Sequence, residues 1–247
     1  MRRRALTLVE LLVVIGLIAM SIALLLPALS NFGRHARTIT CVSNLRLLQL
    51  GFLNYFVNVN DNQSFYGGSG GIVANFQQDL WMDDLSRAGA TPVIRFCPEA
   101  MELTPLGAGN LIQGGTAHTA WTWVNYKTNA QLSGSYAFNG WLYAYFWGTD
   151  PSAVFLPKMW RSDLPVFCDS MWVDASPRSS DSPPADLYLG ATEPDIDRIC
   201  LDRHQMAINV AFLDGNVQTV KLQDLWTLRW NNEFTPPTPL PAIAPPQ

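Results

Sequence analysis

Hydrophobic and polar positions alternate on three different periods along the chain. Residues 11–33 contain no ionisable side chain, and positions 11–29 are apolar or small apart from Ser21 and Pro27. A helix of roughly 20 such residues crosses the hydrocarbon core of a bilayer, about 30 Å thick. Beyond it Phe32, Ala36, Ile39, Leu45, Leu48, Phe52, Tyr55 and Val59 recur at spacings near three or four or their sums. This predicts that one long helix continues with an apolar face, ending at Asn58, Asn60, Asp61 and Asn62. Pro27 inside it removes a backbone hydrogen bond and predicts a bend.

From there the elements shorten. Residues 63–71 read as a polar, glycine-containing loop, and Leu80, Trp81, Leu85 and Ala88 predict a short helix over 79–88. Residues 91–97, 121–126, 135–147 and 165–171 are β-prone runs, with 104–115 and 176–202 as loops between them. Two further β-prone runs flank Asp214-Gly215, a pair favoured in two-residue hairpin turns because both positions need positive φ. That turn would face Leu213 with Asn216, Phe212 with Val217 and Val210 with Thr219. The tail 235–247 holds six prolines, a composition of extended, mobile chain.

Charge then fixes the orientation. Arg2, Arg3 and Arg4 precede the apolar run, so the positive-inside rule keeps the N-terminus in the cytoplasm and exports the bulk of the chain. The run is too long for the core of a cleaved secretory signal and no small-residue cleavage pattern follows it. Glu10 stands at its start, where a carboxylate in apolar surroundings needs a partner, an amine being the obvious one. About 190 residues remain for one sizeable domain. Charged residues make up 15% of the chain and the net charge is −4, which excludes general nucleic-acid binding. Nine Trp, seven Tyr and twelve Phe either fill a loop-rich core or form a contact surface for partners or glycans.

Cys41, Cys97, Cys168 and Cys200 all lie on the exported side, where disulfides persist. Their wide spacing, without C-x-x-C, argues against zinc and thioredoxin-like redox sites. The expected pairs are Cys41 with Cys97, stapling the long helix to the sheet, and Cys168 with Cys200; free buried thiols are the alternative. No G-x-S-x-G, H-E-x-x-H or phosphate loop is present, and no catalytic residue is assigned.

The stretch Arg4-Ala5-Leu6-Thr7-Leu8-Val9-Glu10-Leu11-Leu12 resembles the class III signal of type IV prepilins and type II secretion pseudopilins. The resemblance implies cleavage by a prepilin peptidase between Ala5 and Leu6, methylation of the new amine, and a role for Glu10 in meeting an N-terminal amine during assembly. Ala5 replaces the family's usual Gly, and Leu6 its usual Phe. Downstream, His204 and Asp214-Gly215, with nine residues between, are similar to the H-X9-DG motif of a large group of prepilin-like proteins. Cys41-Val42-Ser43-Asn44-Leu45-Arg46, Phe96-Cys97-Pro98, Gly134-Ser135-Tyr136-Ala137-Phe138-Asn139 and Arg203-His204 look like its other recurring words.

What the resemblance implies is an α+β, pilin-like subunit, a long N-terminal transmembrane helix packed on an antiparallel sheet with large insertions and a C-terminal hairpin. Its parts would be a cytoplasmic leader 1–5, a membrane or filament-core helix 6–30, the extracytoplasmic half of that helix 31–62, a globular domain 63–230 with the hairpin at 204–222, and the tail 231–247. It would be a single-pass protein of the inner membrane, a structural subunit and not an enzyme. Its partners would be the peptidase, other pilin-like subunits and an inner-membrane assembly platform, in a type II secretion or type IV pilus-like filament. The alternative is a membrane-anchored extracytoplasmic binding module. His204 and Asp214, at opposite ends of a strand about 30 Å long, cannot be one catalytic pair; a turn role for Asp214 and an orienting hydrogen bond for His204 are expected. Calcium in the acidic loop at Asp195, Asp197 and Asp202 is a candidate, since hard cations prefer carboxylate oxygens and major pseudopilins bind calcium near their C-terminus.

Overall fold

The apolar run and the amphipathic run share one helix, α1, over Leu8–Asn58. This is a computed structural model, described for residues 8–58, 81–82, 85, 92–107, 110–124, 130–143, 150–152, 161–191 and 193–244. The chain divides into two units at the Arg37–Thr38 junction. In the first unit, Leu8–Leu26 is 19 residues long and apolar enough to cross a membrane, a test that a signal sequence near the N-terminus also passes; none of it is buried. Ser21 Oγ donates to the Leu17 carbonyl at 2.8 Å, so the one hydroxyl of this stretch is satisfied within the helix. Pro27 lies inside α1, and its side chain is outside the described residues.

In the second unit the helix buries Cys41, Leu45, Leu48 and Phe52, spaced four, three and four apart on one face. The predicted stripe is therefore too long: Phe32 and Ile39 are 74% and 70% exposed. Trp81, Met82 and Leu85 are helical and buried; the rest of the predicted 79–88 helix lies outside the described residues.

The sheets are mixed, not antiparallel throughout. Strands β1 (Glu102–Leu103), β2 (Ile112–Gln113), β3 (Thr119–Val124) and β4 (Gln131–Gly134) make one sheet, in which β1 runs parallel to β3 while β2 and β4 pair with it antiparallel. The second, five-stranded sheet has the order β7-β5-β6-β8-β9, formed by Tyr136–Asn139 (β5), Pro165–Asp169 (β6), Asp174–Ala175 (β7), Ala207–Phe212 (β8) and Val217–Lys221 (β9). Only β5–β7 is parallel there. A single residue, Ser135, separates β4 from β5, so the chain passes from one sheet to the other at that point.

Two β-prone runs turn out otherwise. Residues 92–95 form a 3-10 turn that starts on Pro92, whose fixed φ and missing N–H suit a helical first position. In the run 135–147 the strand ends at Asn139, whose side chain accepts from the Trp141 N–H at 3.1 Å and caps the 3-10 turn Gly140–Leu142, and residues 144–147 lie outside the described residues.

The hairpin is shifted by one residue from the two-residue turn. Ala211 faces Val217 and Asn209 faces Thr219, and the Phe212 N–H donates to the Asn216 carbonyl at 2.8 Å. The loop is the three residues Leu213-Asp214-Gly215, with Gly215 in the left-handed region at φ +87°. Leu213 explains the extra residue: it is buried and its N–H donates to Leu164 O.

Aromatic side chains fill this unit. Phe52, Trp81, Phe138 and Phe167 meet at ring-centroid distances of 5.2 to 6.1 Å, and Trp121, Trp141, Trp226 and Trp230 are also fully buried. Among the described residues the exposed large aromatics are Phe32 and Tyr188. The proline-rich tail is extended but not loose where it is described, because Phe234 is buried and Ile243 packs against the core.

Candidate functional site

Four side chains from four separate segments meet in the interior: Cys41 from α1, Cys97 just after the 92–95 turn, Asp169 at the end of β6 and His204 before β8. Their donor atoms all lie within 4.8 Å of one another and all four residues are buried. Asp169 sits at the centre. Its Oδ2 is 3.2 Å from His204 Nε2 and accepts the Asn209 N–H at 2.7 Å, and its Oδ1 accepts from the Cys41 thiol at 3.4 Å. Cys97 Sγ is 3.3 Å from His204 Nε2. On the other side of the ring, Nδ1 lies 3.2 Å from Thr38 Oγ1, which holds the imidazole with Nε2 toward the sulfurs and the carboxylate.

A second layer holds this first one. Tyr136 donates its hydroxyl to Cys41 Sγ at 3.2 Å. Arg203, its side chain fully buried, reaches Asp169 Oδ1 at 3.4 Å and donates to four carbonyls, those of Thr116, Ala117, Ser135 and Ser170. Ser135 is the linking point, because its Oγ accepts the Cys97 N–H while its own N–H donates to Arg95 O. Asn44 Nδ2 donates to Phe96 O at 2.9 Å, tying α1 to the Cys97 segment. Arg203-His204 is presented by a tight loop in which Gln205 and Met206 both have φ 59°. For residues with a Cβ each such position costs roughly 1–2 kcal/mol; Asp202 Oδ1 offsets part of this by accepting the Met206 N–H at 2.6 Å.

The electrostatics follow from burial against pairing. Burial alone would raise the Asp169 carboxyl, but the His204 and Arg203 charges and the Asn209 N–H outweigh it and lower its pKa to about 2. Burial likewise would lower the His204 imidazolium, yet Asp169 and the Cys97 sulfur raise it to about 10. Burial pushes the Cys41 thiol well up, and its hydrogen bond to Cys97 and the Asp169 charge add to this. Cys97 resists the same burial because Cys41, His204 and Arg203 favour its thiolate, so it is lowered. The cluster thus combines a carboxylate, an imidazole and two thiols of opposite tendency.

Other expected site residues fall elsewhere. Ala5 and Leu6 lie outside the described residues. Glu10 is in the first turn of α1, exposed among apolar neighbours. Asp214 accepts the Asn216 N–H at 2.9 Å within the turn, and His204 lies away from it with its Nε2 3.2 Å from Asp169 Oδ2. All four cysteines are free thiols in place of the two expected disulfides. Cys41 and Cys97 share the cluster, whereas burial first, then the Asp169 charge, raises Cys168, and burial with the Asp197 charge raises Cys200 to about 12. The acidic loop does not gather into a calcium cradle. Arg198 supplies its cation, 2.8 Å from Asp195, 3.0 Å from Asp174 and 3.1 Å from Glu193, while Asp202 serves the Met206 N–H. Among the described residues, the Cys41, Cys97, Asp169 and His204 group is the one set of three or more Cys, His, Asp or Glu donors close enough to share an ion.

Asp169 is the member that sequence reasoning missed. Its signal was a carboxylate inside the apolar run Pro165-Val166-Phe167-Cys168-Asp169, where an ionised side chain needs a buried partner. The wide cysteine spacing hid the convergence with His204, which the chain makes only through its tertiary fold. Comparison of the chain with protein-family models, with curated proteins and with solved structures finds no match.

Proposed function

We propose that the chain is a pilin-like structural subunit, anchored in the inner membrane by residues 8–26 and carrying its globular unit on the extracytoplasmic side. The observation that supports this reading is Glu10 in the first turn of a helix whose following residues are apolar and exposed. A carboxylate at the start of such an apolar stretch is a costly placement that a purely anchoring helix has no use for, and an amine freed at Leu6 of a neighbouring subunit would meet it as a directional tie in an otherwise greasy filament core. The arginines before Ala5 would belong to a leader removed by a prepilin peptidase. The subunit would then join other pilin-like subunits on an inner-membrane platform, in a type II secretion or type IV pilus-like filament, and would itself catalyse no reaction.

Intact-mass analysis of the chain expressed with and without a prepilin peptidase tests this. A product beginning at Leu6 and carrying one added methyl group is expected. An intact Ala5–Leu6 junction, with the peptidase active on a control prepilin, would overturn the filament reading in favour of a permanently anchored extracytoplasmic binding module.

A further inference from the structure

We infer that Cys41, Cys97, Asp169 and His204 form a closed, tetrahedral site for one divalent transition-metal ion, zinc by its donor set. Two sulfurs, one imidazole nitrogen and one carboxylate oxygen are the ligands of a borderline-soft cation, and thiols are poor ligands for calcium or magnesium. With metal bonds of about 2.3 Å to sulfur and about 2.0–2.2 Å to nitrogen and oxygen, a tetrahedron has edges of roughly 3.3–3.8 Å. The observed edges are 3.2 Å from His204 Nε2 to Asp169 Oδ2, 3.3 Å from Cys97 Sγ to Nε2 and 3.6 Å from Cys41 Sγ to Oδ2. The remaining edges are no longer than 4.8 Å.

Charge and outer contacts agree with that assignment. A dication with two thiolates and one carboxylate leaves one negative charge, and the buried Arg203 guanidinium beside Asp169 cancels it. Each ligand has an outer partner of the kind that fixes metal-binding side chains: Thr38 for Nδ1 of His204, Tyr136 for Cys41, and Asn209 with Arg203 for Asp169. Cys97 has its own backbone N–H held by Ser135. Metal entry displaces the two thiol protons and the proton between His204 and Asp169. All four positions are protein ligands and all are buried, so the ion is structural, fastening α1 to β6, to the 92–97 segment and to the start of the C-terminal hairpin. This does not depend on whether Leu6 becomes an N-terminus.

The test uses the full chain extracted from membranes in detergent. One aliquot is alkylated and denatured at once without reductant for peptide mass mapping, and a second is analysed for metal. One zinc per chain is expected, with Cys41 and Cys97 not joined. Chelation should lower the unfolding midpoint and added Zn2+ should restore it. Replacement by Co2+ should give the ligand-field bands of a tetrahedral site with thiolate-to-cobalt charge transfer, a readout on the unmutated chain that no folding defect can imitate. C97S and H204A should lose the ion, whereas C168S, a buried thiol outside the cluster, should keep it. A Cys41–Cys97 disulfide, or reduced protein that takes up neither Zn2+ nor Co2+ with this spectrum, overturns the inference.

Discussion

Two carboxylates sit in apolar stretches of this chain, and the molecule treats them in opposite ways. Asp169 is enclosed within its own domain by Arg203, His204, the Asn209 N–H and the Cys41 thiol. Glu10 stands on the exposed surface of a helix flanked by Val9, Leu11 and Leu12, which are 68%, 55% and 60% exposed. The first arrangement completes itself when the domain folds. The second lies in a stretch whose apolar side chains are exposed along its length. A carboxylate of the first kind should govern stability and one of the second kind association, and each of the following measurements presses on that division.

The largest effect is expected at Arg203. Arg203→Ala strips four buried carbonyls of a donor and leaves Asp169 without its guanidinium. Breaking a buried ion pair from one side costs about 3–5 kcal/mol, which denaturant unfolding should register as a sharply lower midpoint. The two ends of the helix stripe come next. Leu45→Ala, fully buried, should cost about 2–5 kcal/mol, and Ile39→Ala, largely exposed, should stay within about 0.5 kcal/mol. Equal losses at the two positions would mean that Ile39 has a covering the monomer does not supply.

Gly215→Ala should cost about 1–2 kcal/mol from its positive φ alone, since an added Cβ there meets nothing within 4 Å. A loss well above that would show that the turn also serves as a contact. The smallest effect on stability belongs to Glu10→Ala, within about 0.5 kcal/mol for unfolding of the globular unit. Its consequence should appear in crosslinking of assembled subunits, which is expected to disappear while membrane insertion persists. A Glu10→Ala chain that still assembles would break the comparison.

The legible parts of the fold were those whose cause is local. A run without charges reads directly as an exposed apolar helix, and the three-four spacing of Leu45, Leu48 and Phe52 marks the buried face, which in the structure extends back to Cys41 instead of Ile39. The hairpin was visible in Asp214-Gly215, but its register was not, because the deciding interaction is Leu213 with Leu164, a contact across the fold. The 92–95 turn defeated the β-prone reading for a local reason, Pro92, that the composition of the run masked.

The cluster was half legible. Cys41, Cys97, the 134–139 segment and Arg203-His204 each stand out as separate words, and each supplies the site or its supports. What no spacing could reveal is that they surround one carboxylate. The same scattering is why the absence of C-x-x-C says little about a group whose donor atoms come singly from four segments.

That scattering also fixes when the site can exist. Cys97 lies 107 positions from His204, and Cys41 lies 128 from Asp169. Contacts so distant in sequence come late and slowly in folding, because each closes a long loop before it is rewarded. A chain still emerging, or one held unfolded, has no neighbouring pair of these residues to bring together. The assembled cluster is therefore a timestamp: its presence marks a chain that has been made and folded at least through Asn209 of β8.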